Sequence, residues 1–260
     1  MKLVITDLDS TFLDKDKHYD VDHFNRIKYE LKKRGIEFAA CTGKQAEKVE
    51  EIMGTDLWIV GDGGARIKHN GKFYYKNLIP NKLGQEFIVA LKNLNIDFNI
   101  VASTEERSYI ANNRTKPEID RIKKSYHLVT EISDFKQITQ DFTKISVYDA
   151  EGHTFDYYKK LDSFKDRLFI VAPEPTWIDI SNLGAHKGSG IEKLQEILGC
   201  TKDETICFGD GYNDLEMFNQ SGVKFAMGNA FDDVKDKADF VIKTNNQDGV
   251  LRALDKLLLI

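Results

Sequence analysis

Two acidic side chains follow a short apolar segment at the start of the chain. The sequence KLVITDLDST runs from a predicted strand over residues 3–6 directly into Asp7 and Asp9. Residues two positions apart in an extended segment project to the same side, so both carboxylates can face one site. A carboxylate can attack phosphorus as a nucleophile, giving an aspartyl-phosphate, and a second one can act as general acid and then base. We therefore expect Asp7 to be a nucleophile and Asp9 an acid and base.

Further polar residues follow other segments that the sequence predicts to be strands. They are Thr42 and Gly43 after the second segment, Asp62 after the third, Asp210, Asn213 and Asp214 after the segment TICF, and Lys187 at the start of a predicted helix. Ligands of an open α/β sheet bind beyond the carboxyl ends of its strands, so these groups are expected to meet. We interpret Asp62, in GDGGA, as a turn residue, because no NDxxM sequence follows it.

Several carboxylates at one place require a counter-charge. Two unit charges ~4 Å apart repel by roughly 1 kcal/mol in water and by ~4 kcal/mol at an effective dielectric constant of 20. Lys187 supplies only one positive charge. Hard oxygen ligands without a nearby His or Cys favour Mg²⁺, which often bridges protein carboxylates and substrate phosphate. The sequence therefore predicts a Mg²⁺ site that binds a phosphoryl group.

Each of these residues also has a purely structural interpretation. The first two aspartates could end a strand in a turn, and Thr42 could cap the helix that follows it. Asp210 could be a turn residue and Asp214 a first-turn acid that the helix dipole favours, while Lys187 could be a surface lysine. Their joint occurrence, each after a separate strand, favours the site.

The elements that must position these residues alternate between strand and helix in both terminal parts of the chain. In residues 1–81, three apolar segments are separated by helical patterns, and the same alternation returns after Lys187. Such alternation predicts a parallel sheet covered on both faces. The dipeptide Asn70-Gly71 predicts a β-hairpin at the end of the first part.

The middle of the chain has a different pattern. Apolar and polar residues alternate in TWIDISN, which predicts antiparallel strands with one solvated face. Helical spacing predicts helices over KLGQEFIVALKNL, PEIDRIKKSY and TFDYYKKLDSFKD. The chain is thus predicted to be an α/β protein whose parallel-sheet core (residues 1–81 and 186–260) is interrupted by an α+β domain (residues 82–185).

Composition excludes several classes of partner. The 260 residues contain 37 basic and 42 acidic side chains, a net charge of -5, which disfavours nucleic acid and anionic membranes as partners. No apolar run approaches the roughly 20 residues of a membrane span, and no signal peptide is recognisable. The three cysteines form no CxxC pair, which argues against a disulfide framework or a zinc site. We expect a cytoplasmic protein that acts on a small phosphorylated metabolite; the sequence carries no signal for its oligomeric state.

Four motifs occur in an order that resembles the haloacid dehalogenase (HAD) superfamily of phosphatases. They are DLDST, TG at residues 42–43, KGSG at residues 187–190 and GDGYNDLEM. The tail AMGNAFDDVKDKADFVIKTNNQDGVLRAL is similar to the Cof-type subgroup, in which a large cap is inserted between the second and third motifs. The resemblance implies a Rossmann-like core with an α+β cap over residues 82–185.

The same resemblance implies roles for single residues. Asp7 would be the nucleophile and Asp9 the acid and base. Mg²⁺ would be held by the Asp7 carboxylate, the Asp9 main-chain carbonyl and Asp210, with Asp214 supporting. The phosphate-binding residues implied by the motifs are Thr42, Gly43, Lys187 and Asn213. The cap would set substrate choice, and its polar candidates are Asn112, Asn113, Arg114 and Asp179.

The chain departs from the family pattern at three positions. Ser10 stands where glycine is common, Lys44 where arginine is common, and Asp62 near a position that is often asparagine. None of these changes removes a catalytic atom, although Lys44 and Asp62 could alter substrate contacts. Two alternatives to a phosphatase stay open at this point: a sugar phosphomutase on the same fold and a non-catalytic module that binds a phosphorylated ligand.

Overall fold

A computed structural model describes residues 1–259, which form two β-sheets with helices packed against them. In chain order the strands are β1 (Leu3–Thr6), β2 (Glu37–Cys41), β3 (Trp58–Gly61), β4 (Arg66–His69), β5 (Lys72–Lys76), β6 (Asn99–Ser103), β7 (Ser108–Ala111), β8 (Val129–Ile132), β9 (Lys144–Tyr148), β10 (Leu168–Glu174), β11 (Trp177–Asn182), β12 (Thr205–Gly209), β13 (Val223–Ala226) and β14 (Phe240–Val241). The α-helices are α1 (Val21–Lys33), α2 (Ala46–Met53), α3 (Asn81–Asn93), α4 (Lys116–Ser125), α5 (Thr154–Tyr157), α6 (Lys187–Leu198), α7 (Leu215–Asn219), α8 (Asp232–Lys235) and α9 (Gly249–Leu258).

The first sheet contains eight strands in the order β14-β13-β12-β1-β2-β3-β4-β5. The neighbours from β14 to β3 pair in parallel, whereas β4 and β5 form an antiparallel hairpin at one edge. Asn70 and Gly71 turn this hairpin with φ values of 49° and 73°, the left-handed conformation that a two-residue turn requires. The predicted parallel core and its hairpin are confirmed.

Strand β1 lies at the centre of this sheet and is fully buried. All four of its residues are buried, because strands on both sides and helices on both faces exclude water from it. Helix α1 contributes Phe24, Ile27 and Leu31, whose spacing of three and four residues places them on one face of the helix. A continuous run of apolar residues is therefore what the position of β1 demands.

The second sheet contains six strands in the order β10-β11-β9-β6-β7-β8. All its neighbours are antiparallel except β7 and β8. In β11 the side chains of Ile178 and Ile180 are fully buried and Asp179 between them is partly exposed, as the alternating pattern predicts. Strands β7, β8 and β10 were not predicted from the sequence.

The predicted helix over TFDYYKKLDSFKD is wrong in its winding. After the single turn of α5, the chain continues as a 3₁₀-helix over Tyr158–Phe164. The hydroxyl of Tyr157 donates to Asp149 (3.2 Å) and that of Tyr158 to the carbonyl of Ile170 (2.8 Å).

Two chain crossings connect the sheets. Near the first, Ile79 and Phe142 exchange two backbone hydrogen bonds of 2.8 and 2.9 Å. Near the second, the amide of Asn182 donates to the side chain of Asn77 (2.7 Å). Ile79 packs in the apolar cluster of the second sheet. None of the helices within residues 1–259 has the length and hydropathy of a membrane span.

Candidate active site

Adjacent parallel strands bring the first and last acidic motifs together. Strand β1 pairs with β12, and the backbone N–H of Asp7 donates to the carbonyl of Phe208 (2.9 Å). Asp7 and Asp210 therefore leave the sheet side by side at its carboxyl edge. One carboxylate oxygen from each of Asp7, Asp210 and Asp214 lies within 4.8 Å of the others.

Lys187 reaches this cluster from beneath. It is the first residue of α6 and only 3% exposed, and its Nζ lies 2.6 Å from Asp7 Oδ1 and 2.5 Å from Asp214 Oδ1. A Cβ at Gly188 would lie 2.7 Å from the Glu216 carbonyl, so glycine is needed for α6 to approach α7 this closely. The neighbouring His186 caps α6 by accepting the N–H of Ser189 (3.2 Å).

Asp214 organises the loop after β12. Its Oδ2 accepts the backbone N–H groups of Asp210 and Gly211, each at 2.9 Å, while its Oδ1 binds Lys187. Asp210 in turn accepts a hydrogen bond of 2.5 Å from the Thr11 hydroxyl. Both oxygens of Asp214 thus have protein partners, which suits a supporting position behind the other two aspartates.

The cluster contains more negatively charged groups than positively charged ones. Burial raises the pKa of Asp7 well above its ordinary value, and Asp214 and Asp210 add to the effect, although Lys187 opposes it. Burial and Asp214 raise the pKa of Asp210 to about 7. For Lys187, burial acts to lower the pKa, but the carboxylates of Asp214 and Asp7 hold it above its ordinary value. Three carboxylates share one ammonium, and their oxygen donors fit a hard divalent cation such as Mg²⁺.

Asp9 lies at the rim of the same cleft and has different partners. Its carboxylate binds Lys17 (2.8 Å) and Lys44 (2.7 Å). Lys44, which stands where the family commonly has arginine, thus pairs with the residue expected to be the acid and base. Burial acts to raise the pKa of Asp9, but the two ammonium groups together lower it below its ordinary value. The next residue, Ser10, has a φ of 62°, the region that favours glycine.

Thr42 and Gly43 form the wall opposite β12. Thr42 is 1% exposed, and its Oγ1 accepts the backbone N–H of Lys44 (3.2 Å). The residue that caps α2 is Gln45, so the interpretation of Thr42 as a helix cap is wrong.

The cleft between the two sheets has a volume of about 340 Å³. Of the residues singled out from the sequence, those that line it are Asp7, Asp9, Ser10, Thr42, Gly43, Lys44, Asp210, Asn213 and, from the second sheet, Asp179. Lys187 and Asp214 lie buried beneath this floor. Arg114 is outside the cleft, bound to Asp97 and to the carbonyl of Phe98, and Asn112 and Asn113 do not line it either.

Sequence reasoning missed several residues of the cleft. They are Lys17, Gln45, Arg121, Ser125, Tyr126, Lys144, Pro173, Trp177, Gly211 and Phe231. Nothing in the sequence marked Lys144 as a cleft residue: the structure shows that it begins a strand whose first four residues are all buried. A buried lysine needs a partner, and the acidic residue of TWIDISN is the partner it has.

The buried carboxylate cluster faces a cleft at the carboxyl edge of a parallel sheet. This arrangement indicates a class of protein, the hydrolytic phosphoryl-transfer enzymes. A sequence model of the family described as haloacid dehalogenase-like hydrolase matches residues 4–254. The chain belongs to this family, as the motifs predicted.

Named relatives cover nearly the whole chain. The 5-amino-6-(5-phospho-D-ribitylamino)uracil phosphatase YbjI of Escherichia coli (strain K12) is 26% identical over 264 residues, 99% of this chain and 96% of YbjI. The phosphatase YwpJ of Bacillus subtilis (strain 168) is 26% identical over 289 residues, 99% of this chain and 100% of YwpJ. The crystal structure of SMU.1108c from Streptococcus mutans UA159 matches with a TM-score of 0.95 and 26% identity, covering 100% of both chains. The predicted enzyme class is confirmed.

Proposed function

We propose that this protein is a Mg²⁺-dependent phosphatase that hydrolyses a small phosphorylated metabolite through an aspartyl-phosphate on Asp7. The observation that carries the proposal is the Asp7 carboxylate itself. It is bound by Lys187, lies beside Asp210 and faces a cleft that Thr42 and Gly43 also line. A nucleophile, a metal-ligating acid and phosphate-binding groups thus share one space.

The residues present suit a magnesium ion. The carboxylates of Asp7 and Asp210 and the main-chain carbonyl of Asp9 would hold it, with Asp214 fixing the loop that carries Asp210. When bound, Mg²⁺ neutralises negative charge and polarises the phosphoryl oxygens. The raised pKa values of Asp7 and Asp210 support this assignment, because they reflect carboxylates that lack sufficient positive charge.

The phosphoryl group would be bound by groups on three sides of the cleft. We assign the Thr42 hydroxyl, the Gly43 N–H and the Asn213 amide as donors, with the Lys187 ammonium beneath. Lys187 also keeps the Asp7 carboxylate in a single orientation, since their 2.6 Å contact fixes one of its two oxygens. A fixed nucleophile and a fixed phosphorus atom reduce the entropy lost on reaching the transition state.

The reaction then has two steps. A carboxylate oxygen of Asp7 attacks phosphorus, the bond to the leaving oxygen breaks, and Asp9 gives that oxygen a proton. Asp9 next removes a proton from water, which attacks the phosphorus of the aspartyl-phosphate and releases inorganic phosphate and free Asp7. For Asp9 to carry the proton, Lys17 or Lys44 has to leave its carboxylate. An incoming phosphoryl oxygen offers either ammonium another partner.

We assign substrate choice to the residues of the second sheet, as a cap over residues 82–185. Lys144, Trp177 and Asp179 line the side of the cleft that faces away from the acidic floor. This is the side on which the leaving group would lie. The relative YbjI is named for a ribityl phosphate attached to a uracil ring. That compound belongs in a test panel with sugar phosphates and cofactor phosphates.

Phosphate release from a generic aryl phosphate tests the proposal. Purified protein with Mg²⁺ is expected to hydrolyse it, and chelation of the metal is expected to stop the reaction. Asp7→Asn should lower the rate by at least about 1,000-fold, because a catalytic nucleophile is lost. Asp16→Asn is the matched control, since Asp16 is exposed and its side chain pairs only with Lys15 among the described residues. Full activity in the Asp7 variant would refute the mechanism.

A further inference from the structure

The segment 42–44, which carries two of the proposed phosphate-binding residues, has all three of its carbonyl groups hydrogen-bonded. The donors are Gly63 N for Thr42 O (3.0 Å), Lys144 Nζ for Gly43 O (2.6 Å) and Asp62 N for Lys44 O (2.8 Å). No described residue accepts a hydrogen bond from the Gly43 N–H. The loop is therefore held by its oxygens, and one of its N–H groups stays available to a ligand.

These donors come from different sheets. Asp62 and Gly63 belong to the turn after β3, where they have φ values of 53° and 69°, and they are part of the first sheet's own structure. Lys144 begins β9 in the second sheet. The carbonyl of Gly43 thus accepts a hydrogen bond that links the second sheet to the phosphate-binding loop.

The surroundings of Lys144 make it a charged and directed donor. It is 4% exposed, and its Nζ lies 3.2 Å from Asp179, which also accepts a hydrogen bond of 2.7 Å from Ser146. Burial acts to lower the pKa of Lys144, but Asp179 and Tyr126 raise it above its ordinary value. A Cβ on Gly43 would lie only 3.1 Å from Asp179, so the absence of a side chain there permits the approach.

The Gly43–Lys44 peptide links Lys144 to the side chain of Thr42. In a trans peptide the C=O and N–H groups point in opposite directions, so fixing the Gly43 oxygen also fixes the Lys44 N–H. That N–H donates to Thr42 Oγ1 at 3.2 Å. A hydroxyl oxygen that accepts this bond keeps its own proton free to donate elsewhere. An ammonium on the carbonyl also polarises the peptide and strengthens its N–H as a donor.

We propose that Lys144 is a positioning residue, which orients the Thr42 hydroxyl toward the phosphoryl group through the Gly43–Lys44 peptide. Phosphate binding in the first sheet then depends on contact with the second sheet. This inference rests on the proposed function, because it assumes that Thr42 donates to the phosphoryl group.

The test measures inhibition by inorganic phosphate and hydrolysis of an aryl phosphate in a double-mutant cycle. Lys144→Met should weaken phosphate binding and lower kcat/KM by about 10- to 100-fold, the range of one charge-assisted hydrogen bond. Thr42→Val should do the same. In the Thr42→Val background, Lys144→Met should have less than about a threefold further effect, because both changes remove the same hydrogen bond to phosphate.

Three further variants separate this role from a general loss of packing. Lys144→Arg keeps a charged donor and should recover most of the phosphate affinity. The pair Lys144→Met with Asp179→Asn avoids an unpaired buried acid, and it should bind phosphate as weakly as Lys144→Met while recovering stability. Lys123→Met, which breaks the surface pair with Glu131 in the same domain, should behave as wild type.

The outcomes identify which statement fails. A folded Lys144→Met protein with phosphate affinity within twofold of wild type would overturn the positioning role and leave the phosphatase intact. Strictly additive losses in the cycle would also overturn it, since Lys144 would then act independently of Thr42. A wild-type protein that neither binds phosphate nor hydrolyses any phosphate ester would instead overturn the proposed function, and this inference with it.

Discussion

At the scale of single residues, the site holds more negative than positive charge within a few ångströms. Among the residues that the structure describes, Lys187 is the only basic side chain in contact with Asp7 and Asp214, and burial raises the pKa of both Asp7 and Asp210. Ionising these carboxylates without a metal costs folding free energy. A divalent cation held by these carboxylates would remove this cost, so we expect metal binding and stability to be coupled.

The coupling predicts a pH dependence in metal-free protein. The pKa of Asp210 is about 7 in the folded state, whereas an unperturbed aspartate has a pKa of about 3.9. Between these values the folded state binds more protons than the unfolded state, so this residue's contribution to stability falls as the pH rises through that window. Measured by urea unfolding with a chelator, wild type should lose more stability than Asp210→Asn between about pH 5 and about pH 7.5.

Comparison of the two proteins cancels the titrating groups that do not interact with Asp210. The pKa of Asp7, which Asp210 helps to raise, shifts in the same direction, so the difference reports Asp210 together with its effect on Asp7. Asp9 has a lowered pKa and therefore contributes in the opposite direction in both proteins. Saturating Mg²⁺ at the higher pH should restore stability to wild type and much less to the variant. Parallel pH profiles for the two chelated proteins would show that Asp210 does not titrate in this window.

The residues after each strand could be predicted from the sequence because parallel topology forces their meeting. Once β1, β2 and β12 are neighbours, whatever follows them lies at one edge, as Asp7 and Asp210 do. Lys17 and Lys144 could not be found this way. Their contacts depend on how a loop and a second sheet pack against that edge, and one sequence carries no signal for such packing.

At the scale of elements, a buried ion network supports the phosphate-binding loop. Arg66, in β4, is fully buried and bonds Asp62 (2.7 Å) and both oxygens of Glu47 in α2 (2.9 and 2.7 Å). The same oxygen of Asp62 lies 3.4 Å from the N–H of Ala46, where α2 begins. Asp62 is thus in a turn, as predicted, and the turn also joins β3, β4 and α2.

Removal of the arginine should be costly. Arg66→Met leaves the fully buried Asp62 and the partly buried Glu47 without their arginine partner, and we expect a loss of about 3–5 kcal/mol in the free energy of unfolding. Asp62→Asn in the same background should recover part of this loss, because it removes the unpaired charge that is fully buried. Lys116→Met, which breaks the exposed pair with Asp120, is the control and should change nothing measurable.

The measurement is urea unfolding of wild type and the three variants at neutral pH. A loss below about 1 kcal/mol for Arg66→Met would show that water or local rearrangement compensates the two acids. The sequence could not reveal this network, because Asp62 and Arg66 are separated from Glu47 by β3 and only the fold brings them together. The same limit explains β7, whose short, mixed pattern becomes a strand through pairing with β6.

At the scale of the whole molecule, two sheets with separate apolar clusters meet at one cleft. The first sheet supplies the carboxylates and Thr42, and the second supplies the aromatic and charged side chains opposite them. In the proposed reaction the phosphoryl group is common to every substrate, whereas the leaving group differs. The two sheets should therefore affect catalysis in different ways.

A panel of phosphorylated metabolites makes this difference measurable. Thr42→Val removes a phosphate contact and should lower kcat/KM by a similar factor for every substrate, leaving their order unchanged. Trp177 packs against Tyr148, with ring centroids 4.7 Å apart, and lines the leaving-group side of the cleft. Trp177→Leu should reorder the substrates, because a changed pocket discriminates among leaving groups by their shape and polarity.

The panel should contain the aryl phosphate, sugar phosphates, cofactor phosphates and the uracil compound for which YbjI is named. Thermal unfolding of each variant checks that the folded fraction is the same, so that rates can be compared directly. Two results would contradict the assignment of phosphate binding to the first sheet and leaving-group selection to the second. They are a reordering of the substrates by Thr42→Val and a loss by one common factor for every substrate in Trp177→Leu. Selectivity would then reside at the rim of the cleft, where Asp9 and its two lysines would be the next residues to vary.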